Sequence, residues 1–237
     1  EVNIYDASNG KWLEKVTGCA DIVKAISQRP NESEYAFAGG VPGKSGEIVV
    51  WNSVSHTSFR ITGHSDSIYG VSWRPDGRSL VSASYDKTAK IWDYSTKAST
   101  SELRDHADAV MSAAYSDNGK YLVTVSADKS VKVWDGATGK RMYSLGGAQE
   151  AIFCAGFMPK SDRLYTAGAD NVARGWDLRP DGGSQVKTIG GQPQNLLDVA
   201  ISSDGTKIAT ACADGMLRIY QESDGRQLQA LKVSDTM

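Results

Sequence analysis

Three kinds of residue in this chain could do chemistry. The first is the stretch AGGVPGKSG, residues 38–46. Ala38 to Ser45 has a small residue, four spacers and then Gly43, Lys44 and Ser45, a loosened phosphate-loop pattern. The second is histidine, the usual general base, which occurs only as His56, His64 and His106. Ser and Asp follow the last two within about twenty residues, so a hydrolytic triad has to be weighed. The third is cysteine: Cys19, Cys154 and Cys212 lie far apart with no CxxC spacing. An odd, scattered set gives neither a full disulfide framework nor a zinc cluster, and buried apolar packing is the expectation. No paired carboxylates and no metal-ligand cluster stand out, and no cofactor is expected.

Composition narrows the classes. The 237 residues are 40% apolar and 23% charged, ordinary for a globular protein. Lys plus Arg number 26 against 28 Asp plus Glu, so no field attracts nucleic acid or anionic lipid. No run approaches 18 uncharged apolar residues, and no membrane partner is expected. No signal peptide is visible and the chain does not begin with Met. The expectation is a start mid-protein or after cleavage, with the compartment left open between the cytoplasm and a secretory route.

What must position these residues is a repeat. LVSASYDKTAKIWD (80–93), LVTVSADKSVKVWD (122–135), LYTAGADNVARGWD (164–177) and IATACADGMLRIYQ (208–221) align. A diverged copy fills 35–52 and a partial one 2–6. Their aromatics, Tyr5, Trp51, Trp92, Trp134, Trp176 and Tyr220, are separated by 46, 41, 42, 42 and 44 residues. Period-2 runs joined by turn residues predict strands and hairpins, about four short strands per period of roughly 42 residues. A second landmark precedes each unit: GHSDSIYGVSWRPDG (63–77) matches DHADAVMSAAYSDNG (105–119), and 18–28, 147–157 and 191–201 match more loosely. AGGVPGKSG then falls between the second and third strands of one unit, followed by EIVVWN, a β-branched strand. A phosphate loop needs a helix there. A glycine-rich turn is expected instead.

Gly-His and Trp-Asp pairs at this spacing resemble the WD-repeat β-propeller family, over essentially the whole chain. The expected fold is all-β, with four-stranded antiparallel blades near 18–61, 62–104, 105–146, 147–190 and 191–231, and a half-blade at 1–17. Five blades and a half read as a piece of a longer ring, with seven blades the natural count. A closed five-bladed ring with an N-terminal extension is the alternative. Unclosed edges would self-associate or pair with the rest of a longer chain.

The resemblance implies a buried chain of His, strand hydroxyl, turn Asp and Trp: His64, Ser84, Asp86 and Trp92 in one blade, His106, Ser126, Asp128 and Trp134 in the next. Ser82 and Thr124 share a face with Ser84 and Ser126, so the hydroxyl is open. Ala148 and Gln192 replace the histidine in two blades that keep Asp170, Trp176 and Asp214. Cys19 replaces it in the first, and Gly46 lies near the missing Asp. A set recurring at a fixed period reads as structural, because an active site need appear only once.

The resemblance also implies that protein or peptide partners bind the face bearing the loops before each first strand and between the second and third. Matching the repeats places Lys24, Tyr69, Met111, Phe153 and Leu197 there, with Tyr85, Ala127, Ala169 and Ala213 before the turn Asp. Such apolar and aromatic residues suit either a contact surface or mutual packing. The first reading is a non-catalytic interaction scaffold. The runner-up is a propeller that docks or regulates an enzyme in a longer polypeptide. The third is a propeller hydrolase or redox enzyme with an axial site.

Overall fold

The computed structural model describes residues 2–18 and 22–233; every regular element among them is a strand. The chain divides into two compact units, residues 1–105 and 106–237. In the first, β1 (Val2–Tyr5) pairs β2 (Trp12–Val16) in a two-stranded antiparallel sheet. Two four-stranded meanders follow. One is β3 (Ile22–Gln28), β4 (Glu34–Val41), β5 (Ser45–Asn52) and β6 (Ser58–His64). The other is β7 (Ile68–Trp73), β8 (Ser79–Ser84), β9 (Ala89–Asp93) and β10 (Ser99–Leu103).

The second unit holds three more. They are β11 (Val110–Tyr115), β12 (Tyr121–Ser126), β13 (Val131–Asp135) and β14 (Arg141–Leu145); β15 (Ile152–Phe157), β16 (Arg163–Gly168), β17 (Ala173–Arg179) and β18 (Gly182–Ile189); and β19 (Leu196–Ile201), β20 (Lys207–Cys212), β21 (Met216–Gln221) and β22 (Gln227–Lys232). Sequence order equals spatial order in every sheet, and every pairing is antiparallel.

Burial follows position within a sheet. All six residues of β12 are buried, whereas all of β22 are exposed. A four-stranded meander has two faces to cover and cannot cover either alone. In the second unit Val123, Val125 and Val133 pack with Leu164 and Trp176 of the next sheet. Tyr165, Ala167 and Ala173 pack in turn with Leu196, Val199 and Ile208. In the first unit Ile48 and Val50 meet Val71, Trp73 and Leu80. Each apolar layer thus lies between two sheets, and inner strands lose their alternation because both faces are covered.

The stretch AGGVPGKSG is mostly strand rather than turn. β4 runs to Val41 and β5 starts at Ser45, leaving only Pro42, Gly43 and Lys44 between them. The glycines serve close approach: a Cβ at Gly39 would strike the Ile22 carbonyl oxygen, and one at Gly46 the Asp66 carbonyl oxygen. A strand follows Lys44, so no helix dipole faces the turn. The Gly43 N–H, which a phosphate loop would aim at its ligand, donates to Asp66 Oδ1 at 2.8 Å. A carboxylate already fills the place an anion would need.

Candidate functional site

The hairpin turn between second and third strands carries an Asp whose side chain organises it. The next residue, Lys87, Lys129, Asn171 or Gly215, has φ of 70°, 69°, 64° or 78°. Left-handed backbone is costly for lysine, and the Asp carboxylate compensates by accepting N–H groups from the turn it caps. Asp86 Oδ1 accepts from Thr88 N at 3.1 Å and Thr88 Oγ1 at 2.6 Å. Its Oδ2 accepts from Ser65 N at 3.0 Å and lies 2.7 Å from His64 Nδ1.

From there the chain runs inward. His64 Nε2 lies 2.7 Å from Ser82 Oγ, and Trp92 Nε1 donates to the same oxygen at 2.8 Å. With Nδ1–H given to Asp86, Nε2 is the acceptor and the Ser82 hydroxyl donates to it. The next sheet repeats the pattern through Asp128, His106, Thr124 and Trp134, with distances of 2.8, 2.8 and 2.9 Å.

Ser84 and Ser126, named with these chains in the sequence, do other work. Ser84 Oγ donates to the Asp66 carbonyl and Ser126 Oγ to the Asp108 carbonyl, both at 3.0 Å. They tie the end of the second strand to the loop before the first. The Cys212 thiol makes the equivalent contact, to Gln194 O at 3.3 Å. The histidine therefore reaches two residues back along the strand, to Ser82 and Thr124.

Hydroxyl, imidazole and carboxylate are connected as in a hydrolytic triad. But Ser82 and Thr124 are fully buried, and an indole N–H covers each oxygen. No acyl group can approach them. Among the described residues no three His, Cys, Asp or Glu side chains group so as to hold a metal.

Other sheets solve the turn differently. Trp176 Nε1 still donates to Thr166 Oγ1 at 2.9 Å, but Ala148 offers Asp170 no donor. Arg174 supplies a fork, Nη2 to Oδ2 at 2.7 Å and Nη1 to Oδ1 at 3.1 Å. Gln192 Nε2 bonds the Tyr220 hydroxyl, and Asp214 is forked by Arg218 at 2.6 and 3.2 Å. These arginines escaped the sequence reading. The signal was there: Lys90 and Lys132 stand two before the Trp in the histidine-bearing repeats, and Arg174 and Arg218 two before the aromatic where histidine is missing. In β3–β6, Phe37 pairs two positions along from Tyr35, where the other sheets carry the hydroxyl, and packs on Trp51. Cys19 lies outside the described residues.

Electrostatics follow from these contacts. Burial pushes the Asp128 carboxyl up, but hydrogen bonds from Ser130, Ala107 N and His106 outweigh it and hold it at about 2. Asp86 is also held well below the ordinary value: burial opposes the shift, and bonds from His64 and Thr88 overcome it. The Arg218 fork keeps Asp214 at about 2. A carboxyl depressed on folding contributes stability that is complete above its unfolded value, about 3.9, and lost as pH falls through the folded value. Thermal midpoints should therefore hold steady above about pH 5 and drop steeply between about pH 4 and 2. Asp128→Asn should flatten that drop.

The five residues that repeat matching places just after the Gly-His region share one structural feature. In every first strand the pairing with the second slips by one, at Lys24, Tyr69, Met111, Phe153 and Leu197 respectively. Each is the extra residue of a β-bulge, and bulges re-aim side chains. In the first unit three side chains meet: Lys24 Nζ sits 4.3 Å from the Tyr69 ring centroid, and Tyr69 and Tyr85 centroids are 5.8 Å apart. Tyr85 is 51% exposed, so much of this set faces solvent. In the second unit Met111, Phe153 and Leu197 are each half-buried at the same position of β11, β15 and β19.

A family model for the WD domain, G-beta repeat, matches residues 55–93, 97–135, 139–177 and 183–221. The matches are out of phase with the sheets: the first, for example, runs from β6 through β9. Residues 1–54 fall outside them, although β3–β6 forms the same meander. The chain is similar to Lissencephaly-1 homolog 1 of Paramecium tetraurelia, 33% identical over 60 residues, 25% of this chain and 15% of that protein. It resembles WD repeat-containing protein 1 of Gallus gallus, 32% identical over 83 residues, covering 33% and 13%. It also resembles Ribosome assembly protein 4 of Saccharomyces cerevisiae, 42% identical over 48 residues, covering 19% and 9%. The matched segments thus span a small part of each relative.

Proposed function

Because the chain belongs to the WD-repeat family, whose repeats form propeller blades and generally serve as interaction scaffolds, we propose that it is a non-catalytic scaffold for a protein or peptide. The contact residues in this reading are those at the bulges, Lys24, Tyr69, Met111, Phe153 and Leu197, together with Tyr85. One observation carries it: the same irregularity recurs in all five four-stranded sheets at the matched position of the first strand, where Lys24, Tyr69, Met111, Phe153 and Leu197 stand. Packing alone does not need it, since a regular ladder would bury more backbone. Exposed tyrosine with a lysine across its neighbour suits the rim and centre of a contact patch, where aromatic anchors dominate binding energy. His64, His106 and their partners support the loops in this reading and touch no ligand.

Affinity capture from an extract tests it. Wild type, Tyr69→Ala and Phe153→Ala are immobilised at equal density and the bound proteins identified. Loss of about tenfold or more of a bound protein is expected, since a hot-spot truncation costs at least about 2 kcal/mol. Near-unchanged circular dichroism must accompany it. Undiminished capture by both variants would sink the proposal.

A further inference from the structure

The turn Asp takes four donors in the histidine-bearing sheets. Asp128 Oδ2 is shared by His106 Nδ1 at 2.8 Å and Ala107 N at 2.9 Å. Its Oδ1 is shared by Ser130 N at 3.0 Å and Ser130 Oγ at 2.6 Å. Two of the four come from side chains, an imidazole and a hydroxyl. In β15–β18 both are lost together: Ala148 stands for the histidine and Val172 for the hydroxyl. The same double loss recurs in β19–β22, as Gln192 and Met216.

Arg174 restores both donors from one side chain. Its Nη2 takes Oδ2 at 2.7 Å, which that oxygen shares with Gln149 N at 3.0 Å, and its Nη1 takes Oδ1 at 3.1 Å. Lysine cannot do this, because an ammonium presents donors around one point and cannot span both oxygens in a planar fork. Where the imidazole and hydroxyl are present, the equivalent lysine turns elsewhere: Lys90 Nζ donates to Gly63 O at 2.8 Å.

We propose that Arg174 is a positioning residue that replaces an imidazole and a hydroxyl at once, holding Asp170 so that it fixes the Gln149 amide and the segment leading into Phe153. Arg218 does only half of this. Residue 193 is proline, without an N–H, so Asp214 secures its own turn through Met216 N at 3.0 Å but takes no amide from that place in the preceding loop. The two arginines look alike in sequence and differ in what they hold. The inference touches the scaffold reading only through Phe153, and its test reads loop order, not capture.

Native-state hydrogen exchange at the Gln149 amide is the measurement, with thermal midpoints alongside. Arg174→Lys should lower protection of that amide by about tenfold or more. Adding Ala148→His and Val172→Ser to Arg174→Lys rebuilds the donor set of the histidine-bearing sheets and should recover protection to within about threefold. Arg218→Lys should leave amide exchange in 191–195 unchanged. Full protection of Gln149 in Arg174→Lys, or no recovery in the triple variant, overturns the proposal. If Arg174→Lys fails to fold, a folded triple variant supports it and an unfolded one overturns it. Should Tyr69→Ala and Phe153→Ala both leave capture intact, the scaffold reading falls and this one stands.

Discussion

Asp128→Ala should lower the unfolding free energy by about 3–5 kcal/mol, because several buried or half-buried donors lose the carboxylate they share at about 1–3 kcal/mol each. Four donors lose their acceptor at once: His106 Nδ1, Ala107 N, Ser130 N and Ser130 Oγ. The histidine side chain is 1% exposed, so water cannot replace the carboxylate at Nδ1. The turn also loses its internal cap while Lys129 must keep a φ of 69°. Strain that the carboxylate offset is then uncompensated. Lys44→Ala is the contrast. That residue is exposed on a three-residue turn, and its loss should move stability by no more than about 0.5 kcal/mol. Urea unfolding of both variants decides the matter. Two equal, small shifts would remove the polar chain from any role in holding the sheet.

Much of the architecture is legible in the residues. Recurring aromatics and turn Asp give the period, and alternation gives the strands. Repeat matching located the bulge residues without knowing that bulges were there, because a register slip at a constant place conserves the spacing of everything around it. Other features were not legible for a common reason: they depend on reach. Period-2 alternation puts Ser82 and Ser84 on one face, and nothing in the string says that the imidazole meets the first. The Arg174 fork crosses a turn to Asp170 four residues back, a relation that in a helix would be routine but in a hairpin needs the turn's geometry. The glycines at 39, 40 and 46 suggested a loose turn. In fact they lie in strands, where each missing Cβ makes room for a carbonyl of neighbouring chain.

The distinction between the two hydroxyls of one strand has an energetic consequence that decides which is the relay. Thr124→Val should destabilise by about 2–6 kcal/mol, from two buried groups losing partners at about 1–3 kcal/mol each. Valine keeps the volume and the branched shape, so no cavity or strain enters. What goes is the oxygen that accepts from Trp134 Nε1 at 2.9 Å and bonds His106 Nε2 at 2.8 Å. Thr124 is fully buried, and His106 is held from its other side by Asp128, so the ring cannot swing out to find a substitute without breaking that contact. Ser126→Ala should cost only about 1 kcal/mol. It removes an ordinary bond to Asp108 O at 3.0 Å and one from Asp128 N at 3.0 Å, near a turn where water can reach the freed groups. Denaturant unfolding of the two variants should therefore rank Thr124→Val well below Ser126→Ala. The reverse order would return the relay to Ser126 and, with it, shift the histidine's contact two residues along β12.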